Sequence, residues 1–406
     1  MELPSAPILS QRLRSLPAAG PLLQRLGDVP GVHLVGGAVR DFLMGGEPTD
    51  LDLVVESDVT ALAHRLGDVV RVHDRFGTST VKLDGFSYDI ARARREAYAH
   101  PGALPDVEPA TLAEDLRRRD FTVNAIAIAL TGRLAGALNA VPSALEDLAS
   151  RRLRVLHDES FRDDPTRLLR LARYWSRLAF AVEPHTLALA EAAAQRGAIG
   201  TVSGARVGRE LRLLAREPDP LSALERLREL GVDRSIDAGF GLFDSALGSR
   251  ALALLPPDGR RDRLSLALAA RGVPAAELED LLEALAFEAH DRGAIIAAAT
   301  RADAVAQALA GAERPSQIAA AVAGAGPELV ALAGALGPQE AARAWLTTFR
   351  HVRLEIDGRA LLEAGVPQGA AVGRGLRAAL EAKLDGLVSG RDAELARAVE
   401  AAQDTR

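Results

Sequence analysis

The 406-residue sequence contains no cysteine and few aromatic residues. The absence of cysteine excludes a disulfide framework, a thiolate metal site and a cysteine nucleophile. Aromatic residues make up only 4% of the chain, and the apolar residues are mainly Ala and Leu, which favours helices over a large β-sandwich. With 48% hydrophobic residues, the chain is expected to bury sizeable cores. Its length suggests about two to four domains.

Signals for secretion or membrane insertion are also missing. The first residues lack the basic-then-apolar order of a signal peptide, and no run of about 18 uninterrupted apolar residues occurs. We therefore expect a cytoplasmic location. The net charge of −6 excludes a uniformly basic coat for nucleic acid but leaves room for a local basic stripe.

Lysine is nearly absent, because only Lys82 and Lys383 among the 49 basic residues are lysines. Genomic base composition is one explanation for this bias. The other is function, since arginine is the better planar donor to phosphates and bases.

Short apolar runs near the N-terminus predict a small mixed α/β unit. Strands are predicted at residues 32–35, 51–55, 69–73, 78–83 and 86–91, and helices at residues 8–26, 38–44 and 59–66. Residues 97–112 contain three prolines and a glycine and are predicted to form a long loop. From Leu112 to the end the pattern is helical, with predicted helices at 282–310, interrupted at Gly293, and at 317–336.

A glycine pair and two closely spaced aspartates form the sharpest motif. Asp50 and Asp52 are two residues apart in a predicted strand, so their carboxylates share one face and should repel each other unless a cation such as Mg²⁺ lies between them. Gly36 and Gly37 precede a helix N-terminus that favours anions, and Arg40 adds positive charge. The motif therefore predicts a metal and triphosphate site. The alternative is a glycine turn beside a solvated acidic strand edge.

A third carboxylate, Asp89, lies in the next predicted strand. An adjacent strand would bring it beside Asp50 and Asp52, where two-metal phosphoryl transfer needs a base or a ligand near the attacking hydroxyl. The alternative is a surface aspartate on an edge strand.

Two further segments combine arginine with aspartate. Arg118 and Arg119 precede an apolar stretch and are suited to gripping a triphosphate or an RNA backbone, whereas Asp120 and Asn124 suit hydrogen bonds to ribose or to other side chains. The alternative for this segment is a solvated charged face.

The second segment spaces Asp164, Arg167 and Arg170 three residues apart. This spacing predicts that neighbouring members share one helix face. By itself it indicates a surface salt bridge worth about 0–1 kcal/mol.

Taken in order, these segments resemble the class II tRNA nucleotidyltransferase and bacterial poly(A) polymerase family, whose head belongs to the DNA polymerase β superfamily. The matching stretches are GGAVRDFLMGGEPTDLDLVVE at 36–56, RRDFTVNAIAI at 118–128 and DDPTRLLRLARYWSRLAF at 163–180. SGARVGREL at 203–211 and the segment 356–395 are similar to further family motifs. The resemblance implies an α+β fold: a nucleotidyltransferase α/β head (1–140), then an all-helical neck (141–216), body (217–335) and tail (336–406), arranged like a seahorse.

The resemblance also implies an activity: template-independent addition of nucleotides from ATP and CTP to the tRNA 3′ end, with release of pyrophosphate. By this resemblance Asp50 and Asp52 hold Mg²⁺, and Asp164 and Arg167 in the neck read the incoming base. The remaining nucleotide-binding residues implied are Gly36, Gly37, Arg40, Arg118, Arg119, Asp120, Asn124 and Arg170. The body and tail would bind tRNA. The family usually has Glu-Asp where this chain has Asp163-Asp164.

Several activities share this head. Segment 92–114 has the full length of the family's flexible loop, which CC-adding members shorten, and poly(A) polymerases carry a more basic insert. We therefore expect addition of at least the terminal A, with complete CCA addition and A-only addition both open. A CC-adding enzyme and a poly(A) polymerase are the alternatives. From a different class, a helical RNA-binding module with an inactive head is opposed by the retained Asp50 and Asp52.

Overall fold

The computed structural model describes residues 4–73 and 77–404 and divides the chain into two compact units. The first unit consists of Met1–Val207 with Glu229–Ser235, and the second of Gly208–Arg228 with Ile236–Arg406. The predicted head and most of the predicted neck fall in the first unit, and the predicted body and tail fall mainly in the second. The finer division into four parts stays a prediction, and residues 1–3, 74–76, 405 and 406 lie outside the described residues.

All strands that the structure describes belong to the first unit. They are β1 (Val32–Val35), β2 (Leu51–Val55), β3 (Asp68–His73), β4 (Thr78–Leu83), β5 (Phe86–Arg92), β6 (Arg94–Ala97), β7 (Asp106–Pro109), β8 (Ile126–Ala129), β9 (Leu138–Ala140), β10 (Arg152–Leu153) and β11 (Ala181–Val182). Seven of them form one sheet in the order β3-β4-β5-β2-β1-β8-β9, in which only β2 and β5 pair in parallel. The five predicted strands are confirmed to within a residue at their ends.

The prediction of a helical pattern from Leu112 to the end is wrong at strands β8 and β9. The run Ile126–Ala129 is buried at every position, and a short run of this kind does not distinguish a buried strand from a buried helix. The two-residue parallel pair of β10 and β11 also corrects the expectation of an all-helical neck.

The first unit contains ten helices among its described residues, the last of which continues into the second unit. They are α1 (Ala6–Ser15), α2 (Ala19–Leu26), α3 (Gly37–Leu43), α4 (Val59–Leu66), α5 (Leu112–Arg117), α6 (Ala144–Ala149), α7 (Ser160–Asp163), α8 (Thr166–Leu178), α9 (Pro184–Gln195) and α10 (Gly204–Ala215). The single helix predicted at 8–26 is wrong. Leu16 is extended because it precedes Pro17, and the chain restarts as α2.

The loop predicted at 97–112 is also corrected. Strands β6 and β7 pair antiparallel, from Arg94 opposite Pro109 to Ala97 opposite Asp106, so only residues 98–105 connect them. An exposed ion pair joins Arg95 to Glu108 across the two strands. The segment is therefore a β-hairpin whose tip carries two of the three prolines.

The second unit consists of helices and their connecting loops, and its described residues include no strand. Its helices after α10 are α11 (Pro220–Glu229), α12 (Ser245–Leu254), α13 (Arg261–Ala270), α14 (Ala275–Ala284), α15 (Ala289–Ala310), α16 (Pro315–Ala321), α17 (Pro327–Ala335), α18 (Gln339–Thr347), α19 (Gly358–Glu363), α20 (Ala370–Leu384) and α21 (Arg391–Gln403). Helices α20 and α21 pack closely at Gly375, where a Cβ would lie 2.5 Å from the carbonyl oxygen of Ala398.

Two predicted helices of this unit are each divided in two. The helix expected at 282–310 breaks at Ala286, which has a positive φ of 55°, whereas Gly293 lies inside the continuous α15. The helix expected at 317–336 ends before Gly324 and restarts at Pro327. No helix in the described part of the chain is long and apolar enough to cross a membrane.

Candidate active site

Three aspartates lie at one edge of the central strands. Asp52 in β2 is paired with Val35 of β1 on one side and with Asp89 of β5 on the other. Directly paired residues of neighbouring strands point to the same face, so the carboxylates of Asp52 and Asp89 are neighbours. Asp50 immediately precedes β2 and is exposed. The register thus brings together the three acidic residues singled out from the sequence.

The positive charge near the aspartates does not balance their mutual repulsion. Asp52 is exposed, but burial of its carboxylate against the sheet is the largest cause that raises the pKa of Asp52, and the charge of Asp89 is the next. Arg119 lowers this pKa and Asp50 adds a smaller rise, and together these effects bring it to about 6. The site is therefore short of positive charge, and its oxygen donors are the ligands that a hard divalent cation prefers.

The described side chains do not by themselves form a closed metal cage, because no group of three acidic or histidine residues among them converges on one point. This arrangement still fits Mg²⁺, which keeps several waters and is usually held by one or two carboxylates together with substrate phosphates. Asp50 and Asp52 stay the predicted source of those carboxylates.

Gly36 brings the backbone close to this acidic edge. It joins β1 to α3 with a φ of 73° and a ψ of −142°, a conformation that side chains rarely adopt. A Cβ at this position would lie 3.1 Å from Nη1 of Arg119 and 3.9 Å from Oδ2 of Asp52. Gly37 follows as the first residue of α3, where a Cβ would lie 3.4 Å from Nη2 of Arg40.

The two arginines of the RRD motif are held by a carboxylate that sequence reasoning missed. Asp115 on α5 is fully buried and accepts hydrogen bonds from Nη2 of Arg118 at 2.7 Å and from Nη2 of Arg119 at 2.9 Å. Burial alone would raise the pKa of Asp115, but the two guanidinium groups outweigh it and lower the pKa. Nε of Arg119 is buried without a partner, and Nη1 of the same guanidinium lies beside Gly36. The spacing of three and four residues from Asp115 was the available signal.

Four other predicted site residues form a hydrogen-bonded network, in which all members except the partly exposed Arg170 are buried. Arg40 is 1% exposed and donates through Nη1 to Oδ1 of Asn124 at 2.6 Å, while its remaining donors engage Asp41. Nδ2 of Asn124 donates to Oδ1 of Asp120 at 3.0 Å, and Oδ2 of Asp120 accepts from Nε of Arg170 at 2.9 Å. Burial disfavours the Asp120 carboxylate, but Arg170 and Asn124 hold its pKa well below the usual range. In this conformation these side chains support the site from within the protein.

The expected shared helix face of Asp164 and Arg167 is wrong. Helix α8 begins at Thr166, so Asp164 lies before the helix, where its Oδ1 accepts from the backbone N of Thr166 at 3.0 Å. Arg167 is buried and donates to Oγ of Ser160 at 2.6 Å and to the carbonyl oxygen of Arg118 at 2.7 Å. Asp164 therefore lies before α8 and Arg167 in its first turn, and the described contacts of Arg167 do not include Asp164.

A cavity of about 260 Å³ brings the arginine motifs together with the β-hairpin. It is lined by Arg95, Glu96, Tyr98, Glu114, Arg117, Arg118, His157, Asp163 and Arg167. Glu96 accepts from Nη1 of Arg118 at 2.9 Å and from the hydroxyl of Tyr98 at 2.9 Å. The cavity adjoins the start of α8 and can receive a polar ligand that both donates and accepts hydrogen bonds.

Comparison with known proteins gives consistent matches. The Poly A polymerase head domain matches residues 32–154. The chain is 43% identical over 223 residues to the A-adding tRNA nucleotidyltransferase of Halalkalibacterium halodurans, which covers 52% of each protein. It is 35% identical over 394 residues to the CC-adding tRNA nucleotidyltransferase of Deinococcus radiodurans, which covers 92% of this chain and 90% of that protein.

Among solved structures, the CCA-adding enzyme of Thermotoga maritima complexed with tRNA matches with a TM-score of 0.76 and 25% identity, over 98% of this chain and 99% of that one. The matches to A-adding relatives are shorter, since they span between 25% and 52% of those proteins.

Proposed function

This chain belongs to the class II tRNA nucleotidyltransferase family, and we propose that it adds nucleotides, the terminal AMP among them, to the 3′ end of tRNA without a template. The observation that carries the proposal is the acidic edge formed by Asp50, Asp52 and Asp89 directly beside Gly36 and Arg119. Such an edge can hold cations and a triphosphate at once. The substrates proposed are tRNA and ATP, with CTP if the preceding nucleotides are also added.

The cation belongs at Asp50 and Asp52. Members of this nucleotidyltransferase family generally use divalent metal ions, and we assign Mg²⁺ to this chain. When bound, the metal supplies charge neutralisation at the α-phosphate and favours the deprotonated RNA 3′-hydroxyl.

The protein's own groups then orient the reactants. We assign the triphosphate contact to Arg119, whose Nη1 lies beside Gly36. Thr80 donates to Oδ1 of Asp89 at 2.6 Å and so fixes the carboxylate that we assign to accept the proton of the 3′-hydroxyl. The 3′-oxygen attacks the α-phosphorus, the bond from this phosphorus to the oxygen bridging to the β-phosphate breaks, and pyrophosphate leaves.

Base choice is assigned to Asp164 and Arg167. Cytosine and adenine both present an exocyclic amino donor beside a ring-nitrogen acceptor, whereas uracil and guanine present a carbonyl acceptor beside an N–H donor. A carboxylate only accepts and a guanidinium only donates, so this pair complements cytosine and adenine. Each wrong pairing leaves a buried polar group unsatisfied, at a cost of about 1–3 kcal/mol.

How far the enzyme extends tRNA depends on the segment that forms the β-hairpin. Its full length supports addition of A, because CC-adding members of the family shorten this segment. A CC-adding activity is the second candidate, and the match over nearly the whole chain to the D. radiodurans CC-adding enzyme favours it.

The test uses three tRNAs that end at the discriminator base, in C and in CC, each incubated with Mg²⁺ and either CTP or ATP. An A-adding enzyme extends only the tRNA ending in CC, and only with ATP. A complete CCA-adding enzyme also extends the two shorter tRNAs with CTP. Extension of those two with CTP, together with no product from ATP on the CC end, would overturn the proposed AMP addition. An Asp52→Ala protein purified in parallel reports contamination by a host enzyme.

A further inference from the structure

A third residue contacts the proposed base-reading aspartate from a distant part of the chain. Arg206 lies in the first turn of α10, and its side chain is 23% exposed. Its Nη2 donates to Oδ1 of Asp164 at 2.8 Å, and its Nη1 donates to the carbonyl oxygen of Gly102 at 2.9 Å. The guanidinium is therefore held from two sides, by the start of α8 and by the tip of the β-hairpin.

The two oxygens of the Asp164 carboxylate are left unequal by these contacts. Oδ1 accepts from the backbone N of Thr166 at 3.0 Å, from Oγ1 of Thr166 at 2.6 Å and from Arg206. Oδ2 accepts no hydrogen bond from any residue that the structure describes. One oxygen is thus occupied by three donors, and the other is free for a ligand.

We propose that Arg206 is a positioning residue for nucleotide selection, which fixes the Asp164 carboxylate so that Oδ2 faces the amino group of the incoming base. The inference rests on the proposed function, in which Asp164 reads that base. Both Thr166 donors come from a neighbouring residue of the same turn, so Arg206 is the only described long-range contact that fixes the orientation of the carboxylate.

A free carboxylate would reorient to fit more than one base edge. Without Arg206, Asp164 can turn Oδ1 as well as Oδ2 toward the base, and it accommodates donors placed at more than one position. Discrimination depends on leaving a wrong base unsatisfied, and this penalty shrinks when the acceptor can move. We therefore expect selectivity to fall more than the rate with the correct nucleotide.

An alternative role for Arg206 is to tie down the hairpin through Gly102. Loss of that contact would slow transfer of every nucleotide alike and leave their ratios unchanged. The two roles therefore differ in selectivity and not merely in rate.

The experiment measures kcat/KM for ATP, GTP, CTP and UTP on tRNA ending in CC, first for the wild-type protein and then for Arg206→Gln and Arg206→Lys. AMP transfer by the wild type establishes the proposed function independently. We expect Arg206→Gln to lower the preference for ATP over GTP by about tenfold or more, and Arg206→Lys to restore part of it. Arg209→Gln removes an equal charge from an exposed site on the same helix and should keep the wild-type ratios.

Two further variants keep the test decisive. Thr166→Val removes another Oδ1 donor and should lower the same preference to a smaller extent, even if Arg206→Gln does not fold. In an Asp164→Ala background, Arg206→Gln should cause no additional loss of selectivity. Wild-type ratios in Arg206→Gln and in Thr166→Val, or a further loss in the double variant, would overturn the proposal.

Discussion

The variant Gly36→Ala should change both stability, through backbone strain, and activity, through the position of Arg119. Gly36 has a φ of 73°, and an added Cβ would lie 3.1 Å from Nη1 of Arg119. The conformation itself costs a non-glycine residue about 1–3 kcal/mol. In addition, the Arg119 guanidinium must move by a few tenths of an ångström, away from the place where we expect the triphosphate.

Gly31 provides a matched control at the other end of β1. Its φ is 72°, and a Cβ there would meet no atom within 4 Å. Gly31→Ala should therefore lose a similar free energy of unfolding, about 1–3 kcal/mol, without touching the arginine.

The expected loss of activity follows from the displacement of the Arg119 guanidinium. A displacement of about 1 Å can cost about 100-fold in rate, so a smaller shift of Arg119 should lower kcat/KM for ATP by about tenfold in Gly36→Ala. Gly31→Ala should stay within about twofold of wild type. The assay is steady-state AMP transfer at saturating tRNA, together with urea unfolding of both variants. Equal activity losses in the two variants, or wild-type activity in Gly36→Ala, would refute the assignment of Arg119 to the triphosphate.

Three other outcomes are expected. Asp120→Asn breaks the buried pair with Arg170 and should lower the free energy of unfolding by about 3 kcal/mol at pH 7. Because the folded-state pKa of Asp120 is depressed, its stabilisation is present above the unfolded pKa near 4 and is lost as the pH falls toward the folded pKa. Urea unfolding at pH 7 and pH 3 should therefore show a smaller difference between variant and wild type at pH 3, and an equal difference would argue against this pair. Gly102→Ala, with φ at 71° and a Cβ 2.7 Å from the carbonyl oxygen of Thr201, should undock the hairpin tip and lower AMP transfer more than any CMP transfer. Gly132→Ala, at a φ of 74° with nothing within 4 Å, is its control, and an equal loss of both transfers would make the hairpin only structural. Affinity for tRNA should fall steeply between 50 and 200 mM salt despite the net charge of −6, and a constant Kd would contradict binding through the phosphate backbone.

Local patterns predicted the elements that carry the site. Helix α4 agrees with the prediction from end to end because Asp58 caps it, through hydrogen bonds from the backbone N of Thr60 and Ala61. Strand β2 also matches, since its apolar residues flank a single aspartate. The neighbouring position of Asp89 needed only the assumption that the next strand of that group is adjacent.

Local sequence patterns do not predict contacts between segments that are distant in the chain. Arg40 and Asn124 are 84 residues apart and meet only after β1 and β8 have paired. Arg206 reaches Asp164 across 42 residues. The prolines of the hairpin predict a loop because proline is locally unfavourable in strands, yet two of them lie in the connecting turn and Pro109 ends β7.

The central claim is that the acidic edge performs nucleotidyl transfer, and the most direct test is the single-turnover rate of AMP transfer to tRNA ending in CC by Asp52→Ala. The account predicts a rate at least about 10³-fold below wild type, equivalent to about 4 kcal/mol. The affinity for tRNA and the circular dichroism spectrum should be unchanged, because the side chain of Asp52 is exposed and alanine keeps the backbone pairing with Val35 and Asp89. A rate within tenfold of wild type would contradict the assignment of Asp52 to the catalytic metal.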